Sequence, residues 1–139
     1  MRKIFIISAL LIVSIFNYAC VGKIPNDYAQ RARTSSLSWL ILQDEYKYAQ
    51  GYDETSKYFR DNVKKGEWIS ALNNLRRTLG DFKKRKEIYI AYETKLYNSP
   101  EAEYIIICYE SLFKERTVIE TVILMKENNN WKVSGYYLK

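Results

Sequence analysis

Histidine is absent from this 139-residue chain, and cysteine, proline and glycine are scarce at two, two and five residues. Without histidine a Cys–His nucleophile pair cannot form, nor can a zinc site that uses imidazole. The side chain best matched to proton transfer at neutral pH is missing as well. Two cysteines, at 20 and 108, give no disulfide framework. The chain also lacks a glycine-rich phosphate loop, a serine-nucleophile motif and carboxylates at calcium-loop spacing. No cofactor and no metal is therefore expected. No internal repeat or low-complexity tract occurs beyond Asn128-Asn129-Asn130.

What is present has the balance of a globular protein, 47% apolar and 27% charged, at a length that fits one domain. The N-terminus stands apart. Met1-Arg2-Lys3 is positive, Ile4 to Phe16 is an almost unbroken apolar run, and Ala19 precedes Cys20. These are the three parts of an export signal. A helix over that run spans only about 20 Å, short of a bilayer core of about 30 Å, so it makes a poor transmembrane anchor. The placement of Cys20 resembles a bacterial lipobox, in which the cysteine is lipidated and becomes the first mature residue. Asn17 and Tyr18 are atypical for a lipobox, which leaves ordinary cleavage or a retained anchor as alternatives. The expected layout is a signal peptide over 1–19, a lipid-attachment cysteine and tether over 20–26, and one domain over 27–139. Val21 in place of Asp after the cysteine points to the outer membrane, facing the periplasm, in a host that has one.

Removing residues 1–19 takes away Arg2 and Lys3 and no acid, so the formal charge falls from +6 to +4. Lys64-Lys65 and Lys83-Lys84-Arg85-Lys86 then read as solvated ends of elements, since an exported protein rarely meets nucleic acid. Weak attraction to an anionic lipid or cell-wall surface fits better. Cys108, in the run Tyr104-Ile105-Ile106-Ile107-Cys108, reads as a small buried hydrophobe.

The mature chain reads as helices followed by strands. Asp27 suits the N-cap of a first helix running to about Gln43, with Ala29, Ala32, Ser36, Leu40 and Gln43 at helical spacing. A second helix is expected over Asp44 to Arg60, weakened at Gly51, and a third over Lys64 to Leu79 with Gly80 as its C-terminal cap. On that third helix Trp68, Leu72, Leu75 and Leu79 form a stripe, Arg76 flanks it, and Arg77 points to solvent. Four strands follow: Phe82 to Leu96, with Ile88, Ile90 and Tyr92 on one face; Tyr104 to Phe113, apolar on both faces; Arg116 to Lys126; and Trp131 to Leu138. The asparagine run between the last two is a hairpin turn, because Asn tolerates positive φ. The fold class expected is α+β, three helices packed on one face of a curved four-stranded antiparallel sheet.

Ordered landmarks along this pattern resemble a bacterial family known as domain of unknown function 4019. They are Ser38-Trp39-Leu40, Asp44, Tyr48-Ala49, Tyr52, Phe59, Glu67-Trp68, Arg76 with Leu79-Gly80, Arg85, Pro100 to Tyr104, Phe113, Glu120-Thr121-Val122, and Trp131 with Gly135-Tyr136. Tyr46, Gly51-Tyr52 and Ala102 depart from it, the family having glycine at the first and last of these and Ser-Trp at the second. The resemblance implies a small exported protein built as a cystatin-like or NTF2-like cone. It implies no activity.

Glu120 is the most informative carboxylate, alternating with Val118, Val122 and Leu124 on an apolar strand face. Unpaired, it could act as a general acid or base; paired with Arg76 or Arg85, it would be structural. Glu110 is a second candidate for such an ion-pair network, and Asp44 reads as a helix cap. Among thirteen tyrosines, Tyr89, Tyr104, Tyr109, Tyr136 and Tyr137 could line a binding surface or fill the core. The leading expectation is a non-catalytic envelope lipoprotein, held to the membrane by its lipid, that presents this domain to an envelope protein or ligand. A pocket enzyme using Glu120 with a tyrosine is the second, and an inhibitor or immunity-type protein the third.

Overall fold

A computed structural model describes residues 23–139, and the expectations for the signal peptide and Cys20 lie outside them. The elements are α1 (Asn26–Asp44), α2 (Tyr48–Asp53), α3 (Lys57–Asn62), α4 (Lys65–Leu79), β1 (Phe82–Glu93), β2 (Tyr104–Phe113), β3 (Thr117–Glu127) and β4 (Asn130–Leu138). Among the described residues the fold is α+β, with four helices where the sequence suggests three. The strands form an open antiparallel meander in the order β1-β2-β3-β4.

The extra helix arises from two breaks in the segment expected as one. At the first, Tyr46 takes a φ of 61°, Lys47 N–H bonds the Leu42 carbonyl at 2.8 Å, and Tyr46 N–H bonds Gln43 at 3.1 Å. This Schellman arrangement ends α1 with a left-handed residue at a position where glycine is the easier choice. At the second break, Ser56 caps α3: its Oγ accepts from Phe59 N–H at 3.1 Å, and its own N–H is drawn to the Val133 carbonyl of β4 at 2.8 Å. A serine that satisfies backbone groups at a cap competes with continuation of the helix. Tyr48, Tyr52, Thr55 and Phe59 are nonetheless all buried, as their helical spacing implied. Asp27 is not the cap of α1. Pro25 precedes the helix, and Asp27 sits in the first turn, where the helix dipole favours it.

Helix α1 buries Ala29, Ala32, Ser36, Leu40 and Gln43 in one stripe, with Trp39 beside them, against the sheet. Gly51 lets α2 press onto it. A Cβ at that position would come 2.1 Å from Gln43 Nε2, and Trp39 Nε1 donates to the Gly51 carbonyl at 2.8 Å. The sheet face beneath carries Ile105, Ile107, Tyr109, Val122, Leu124, Trp131 and Val133. The alternate residues Ile106, Cys108, Ile119, Thr121 and Ile123 form the opposite face and stay half-exposed. Cys108 is thus not a core residue. It lies on that second face, within 3.5 Å of Thr121 Oγ1.

Register shifts fall between Phe82 and Lys84, between Glu87 and Tyr89, and between Ile123 and Leu124. Each one reverses which alternate residues point to the helices. Ile88 is the extra residue of the second bulge and is 50% exposed, so it does not share a face with Ile90 and Tyr92 as its spacing suggested. The bulge allows Arg85 and Glu87 on one side of it, and Ile90 and Tyr92 on the other, to face inward together, opposite Ser111, Tyr109, Ile107 and Ile105 respectively. Asn128 and Asn129, at φ 49° and 62°, make the tight turn between β3 and β4.

Gly80 ends α4 at φ 73°, and a Cβ there would lie 2.9 Å from Lys114 Cβ. At Gly66, in the first turns of the same helix, a Cβ would meet nothing within 4 Å. Gly80→Ala is expected to destabilise the protein by more than about 1 kcal/mol, and Gly66→Ala to stabilise it by about 0.5 kcal/mol, read as opposite shifts in urea midpoint.

Candidate functional site

The densest cluster of chemically capable side chains sits where α1, α4 and the inner sheet face meet. Asp44 is the last residue of α1, Arg76 lies on the last turn of α4, and Arg85, Ser111, Glu120 and Tyr136 come one from each strand. Arg85 faces inward because of the bulge at Lys83, and Tyr136 because Ser134 is the extra residue opposite Ile123 and Leu124. Without those two shifts, Arg85 and Tyr136 would point away from Glu120.

Glu120 is fully buried at 0% exposure. Arg85 presents Nε and Nη2 to its Oε2, each at 2.7 Å, and Arg76 Nη2 stands 3.5 Å from Oε1. The Ser111 hydroxyl donates to Oε2 and the Tyr136 hydroxyl to Oε1. Asp44 completes the cluster by accepting from both arginines: Arg76 Nη1 at 3.0 Å, Arg85 Nη1 at 2.8 Å and Arg85 Nη2 at 3.1 Å. Two cations thus face two anions, and the formal charge of the group is zero. Arg85 lies 4.2 Å from the ring centre of Phe82, and Arg76 lies 4.7 Å from that of Phe113. These aromatic faces take up guanidinium surface that carries no hydrogen bond.

Burial opposes the charge on Arg76, but Tyr136, Glu120 and Asp44 outweigh it and raise its pKa. Arg85 follows the same balance through Asp44 and Glu120. Burial, reinforced by the Glu120 carboxylate, raises the Tyr136 hydroxyl well above its ordinary value, so it remains a proton donor to Glu120. Both carboxylates are occupied by arginines and hydroxyls, leaving no open ligand face for a cation. Among the described residues no group of three or more Cys, Asp or Glu is arranged to hold a metal.

Of the residues singled out in the sequence, Arg76, Arg85 and Glu120 come together and Glu110 does not. Glu110 is exposed, opposite Lys86 and Ile119, because its neighbours Tyr109 and Ser111 take the inward positions. Asp44 is a bridge between two arginines rather than a cap. An acid at a helix C-terminus opposes the dipole, which is a legible sign of a tertiary partner. Ser111 and the Tyr136 hydroxyl carried no comparable signal. Three of the five tyrosines are interior: Tyr104 donates to the Pro100 carbonyl at 2.6 Å, Tyr109 to Ser36 Oγ at 3.0 Å, and Tyr136 to Glu120. Tyr89 and Tyr137 are half-exposed on the second sheet face.

The profile of the family described as protein of unknown function, DUF4019, matches residues 35–136, and the chain belongs to that family. The matched span runs from α1 to β4 and includes every member of the cluster. No curated protein and no solved structure matches the chain.

Truncating Glu120 to Ala leaves two buried guanidiniums to share Asp44 as their one acid and is expected to cost about 3–5 kcal/mol in chemical denaturation, whereas Arg77→Ala, exposed on α4, should change stability by less than about 0.5 kcal/mol. The raised Tyr136 pKa has a definite sign in its effect on pH stability. The protonated hydroxyl is favoured in the folded state, so its contribution is complete below the unfolded tyrosine value of about 10 and is lost as pH rises towards the folded value. Tyr136→Phe should therefore flatten the alkaline limb of a stability–pH curve above about pH 10 while lowering the plateau at neutral pH.

Proposed function

We propose that this protein is a non-catalytic binding module of the bacterial cell envelope, an NTF2-like or cystatin-like cone tethered by lipid on Cys20. The observation that carries the binding reading is the state of Glu120. An acid or base in a pocket must reach substrate and exchange protons with it. Glu120 is instead sealed at 0% exposure and shared between Arg85, Arg76, Ser111 and Tyr136. Two hollows, of about 840 Å³ beside the β1–β2 loop and about 360 Å³ between α1 and β4, are lined by other residues. The charged start, the apolar run and Ala19-Cys20 support the tether. No helix among the described residues is long and apolar enough to cross a membrane.

An inhibitor or immunity-type role is the second reading. It draws on Tyr97, 90% exposed in the turn between β1 and β2, an aromatic available to enter another protein's site.

Two measurements test the proposal together. A palmitate analogue fed to cells should label the wild-type chain and not Cys20→Ser. Crosslinking in intact cells, with wild type and with Glu120→Gln, should recover the same envelope adduct from both. Unchanged labelling in Cys20→Ser would remove the lipid anchor, and a small-molecule turnover abolished in a folded Glu120→Gln protein would replace binding with catalysis.

A further inference from the structure

The sheet has two apolar faces: the helices pack on one, while Tyr58 of α3 and the β1–β2 loop reach the Tyr104 end of the other. Cross-strand register sets the other out in rows: Glu93, Tyr104, Met125 and Lys132; then Ala91, Ile106, Ile123 and Gly135; then Tyr89, Cys108, Thr121 and Tyr137; then Lys86, Glu110 and Ile119. Ile106, Cys108, Thr121 and Ile123 at its centre are half-exposed, and the bulge residue Ile88 is 50% exposed. Charge is confined to the ends. A contiguous apolar patch bordered by charge marks an interaction surface.

We propose that this face is covered by a second copy of the same chain, in a two-fold dimer whose axis lies between the sheets and runs across the strands. Four strands at about 4.8 Å spacing and nine residues at about 3.3 Å rise give roughly 600 Å² of flat area. Tyr104, Ala91 and Gly135 are already buried within the chain, so the free part is smaller than the ~800 Å² per partner of a standard interface and the charge pattern must supply specificity. The β1–β2 loop selects the axis. It stands over the Tyr104 end of the face, where Tyr104 Oη bonds Pro100 and Tyr58 of α3 bonds the Asn98 carbonyl at 3.1 Å. An axis along the strands would set the two loops against each other. An axis across the strands sets each loop over the opposite end of the other copy.

Charge agrees with that choice. Reversing the rows places Glu93 of one copy beside Lys86 of the second, and the contact occurs twice. Both residues are exposed, and neither has an ion pair among the described residues. The proposal goes beyond the envelope reading and holds whether or not Cys20 carries lipid.

The test is sedimentation of the full chain carrying Cys20→Ser in a non-ionic detergent. A dimer is expected, weakened by Glu93→Lys or Lys86→Glu alone and restored when the two are combined. Cys108, then the only thiol, should be alkylated about tenfold more slowly in the dimer than at dilutions that dissociate it. Ile123→Glu should yield a folded monomer with fast alkylation. A wild-type monomer, or a dimer unchanged by the charge reversals and by Ile123→Glu, overturns the proposal. So does a monomer whose face instead binds phosphatidylglycerol vesicles.

Discussion

The buried contact between Glu120 and Arg85 is the constraint on which the rest of this structure turns. A carboxylate at 0% exposure is tolerable only when its lone pairs are used and its charge is met. Meeting it with Arg85 brings a second buried charge, which Asp44 neutralises, and Asp44 in turn engages Arg76. Each member keeps its partners only while the others hold their positions, and Arg76 Nε is buried without one. The cluster joins α1 and α4 to all four strands, so a few polar atoms add to the apolar core in fixing the placement of these helices on the sheet. Its energetic role is accordingly one of specificity: an apolar replacement could be as stable, but it would not reject wrong registers in the same way.

Register is where that specificity acts. A one-residue slip of β1 or β4 sends Arg85 or Tyr136 to the far face and strips the buried Glu120 of a close partner. The bulges at Lys83, Ile88 and Ser134 and the cluster therefore select one another. Chain geometry delivers the side chains, and the side chains penalise any other geometry.

The same arrangement divides the molecule into a committed half and an available one. The helix-facing side of the sheet is consumed by packing and by the ion pairs, and its aromatics interlock, as Trp39, Trp68 and Tyr136 do at centroid distances of 5.2–6.2 Å. The opposite side keeps Ile106, Cys108 and Ile123 in partial contact with solvent. Reactive chemistry in a buried, charge-neutral cluster has no access to substrate, whereas an apolar face bordered by lysines and glutamates has the composition of a contact surface.

Periodicity and local turn chemistry were enough to determine the order of elements, the edges of β2, the hairpin at Asn128-Asn129, the glycine stop of α4 and the inward stripe of α1, because each depends on neighbours within a few residues. Helical angle alone set Arg77 outward and put Arg76 on the flank of the buried stripe, from which the structure turns it inward. The split of the middle helix was not legible, since it depends on a left-handed Tyr46 and on a Ser56 amide claimed by Val133, 77 positions further along the chain. Nor were the bulges, which shift alternation by one residue without a marker in the sequence. They decided that Ile88 faces outward and that Tyr136 serves Glu120 in the interior, while the inward places of Tyr109 and Ser111 left Glu110 outside the cluster. Local pattern determined which segments could be buried; only long-range pairing decided which polar atoms meet there, because a buried charge chooses its partner by three-dimensional proximity and not by spacing along the chain.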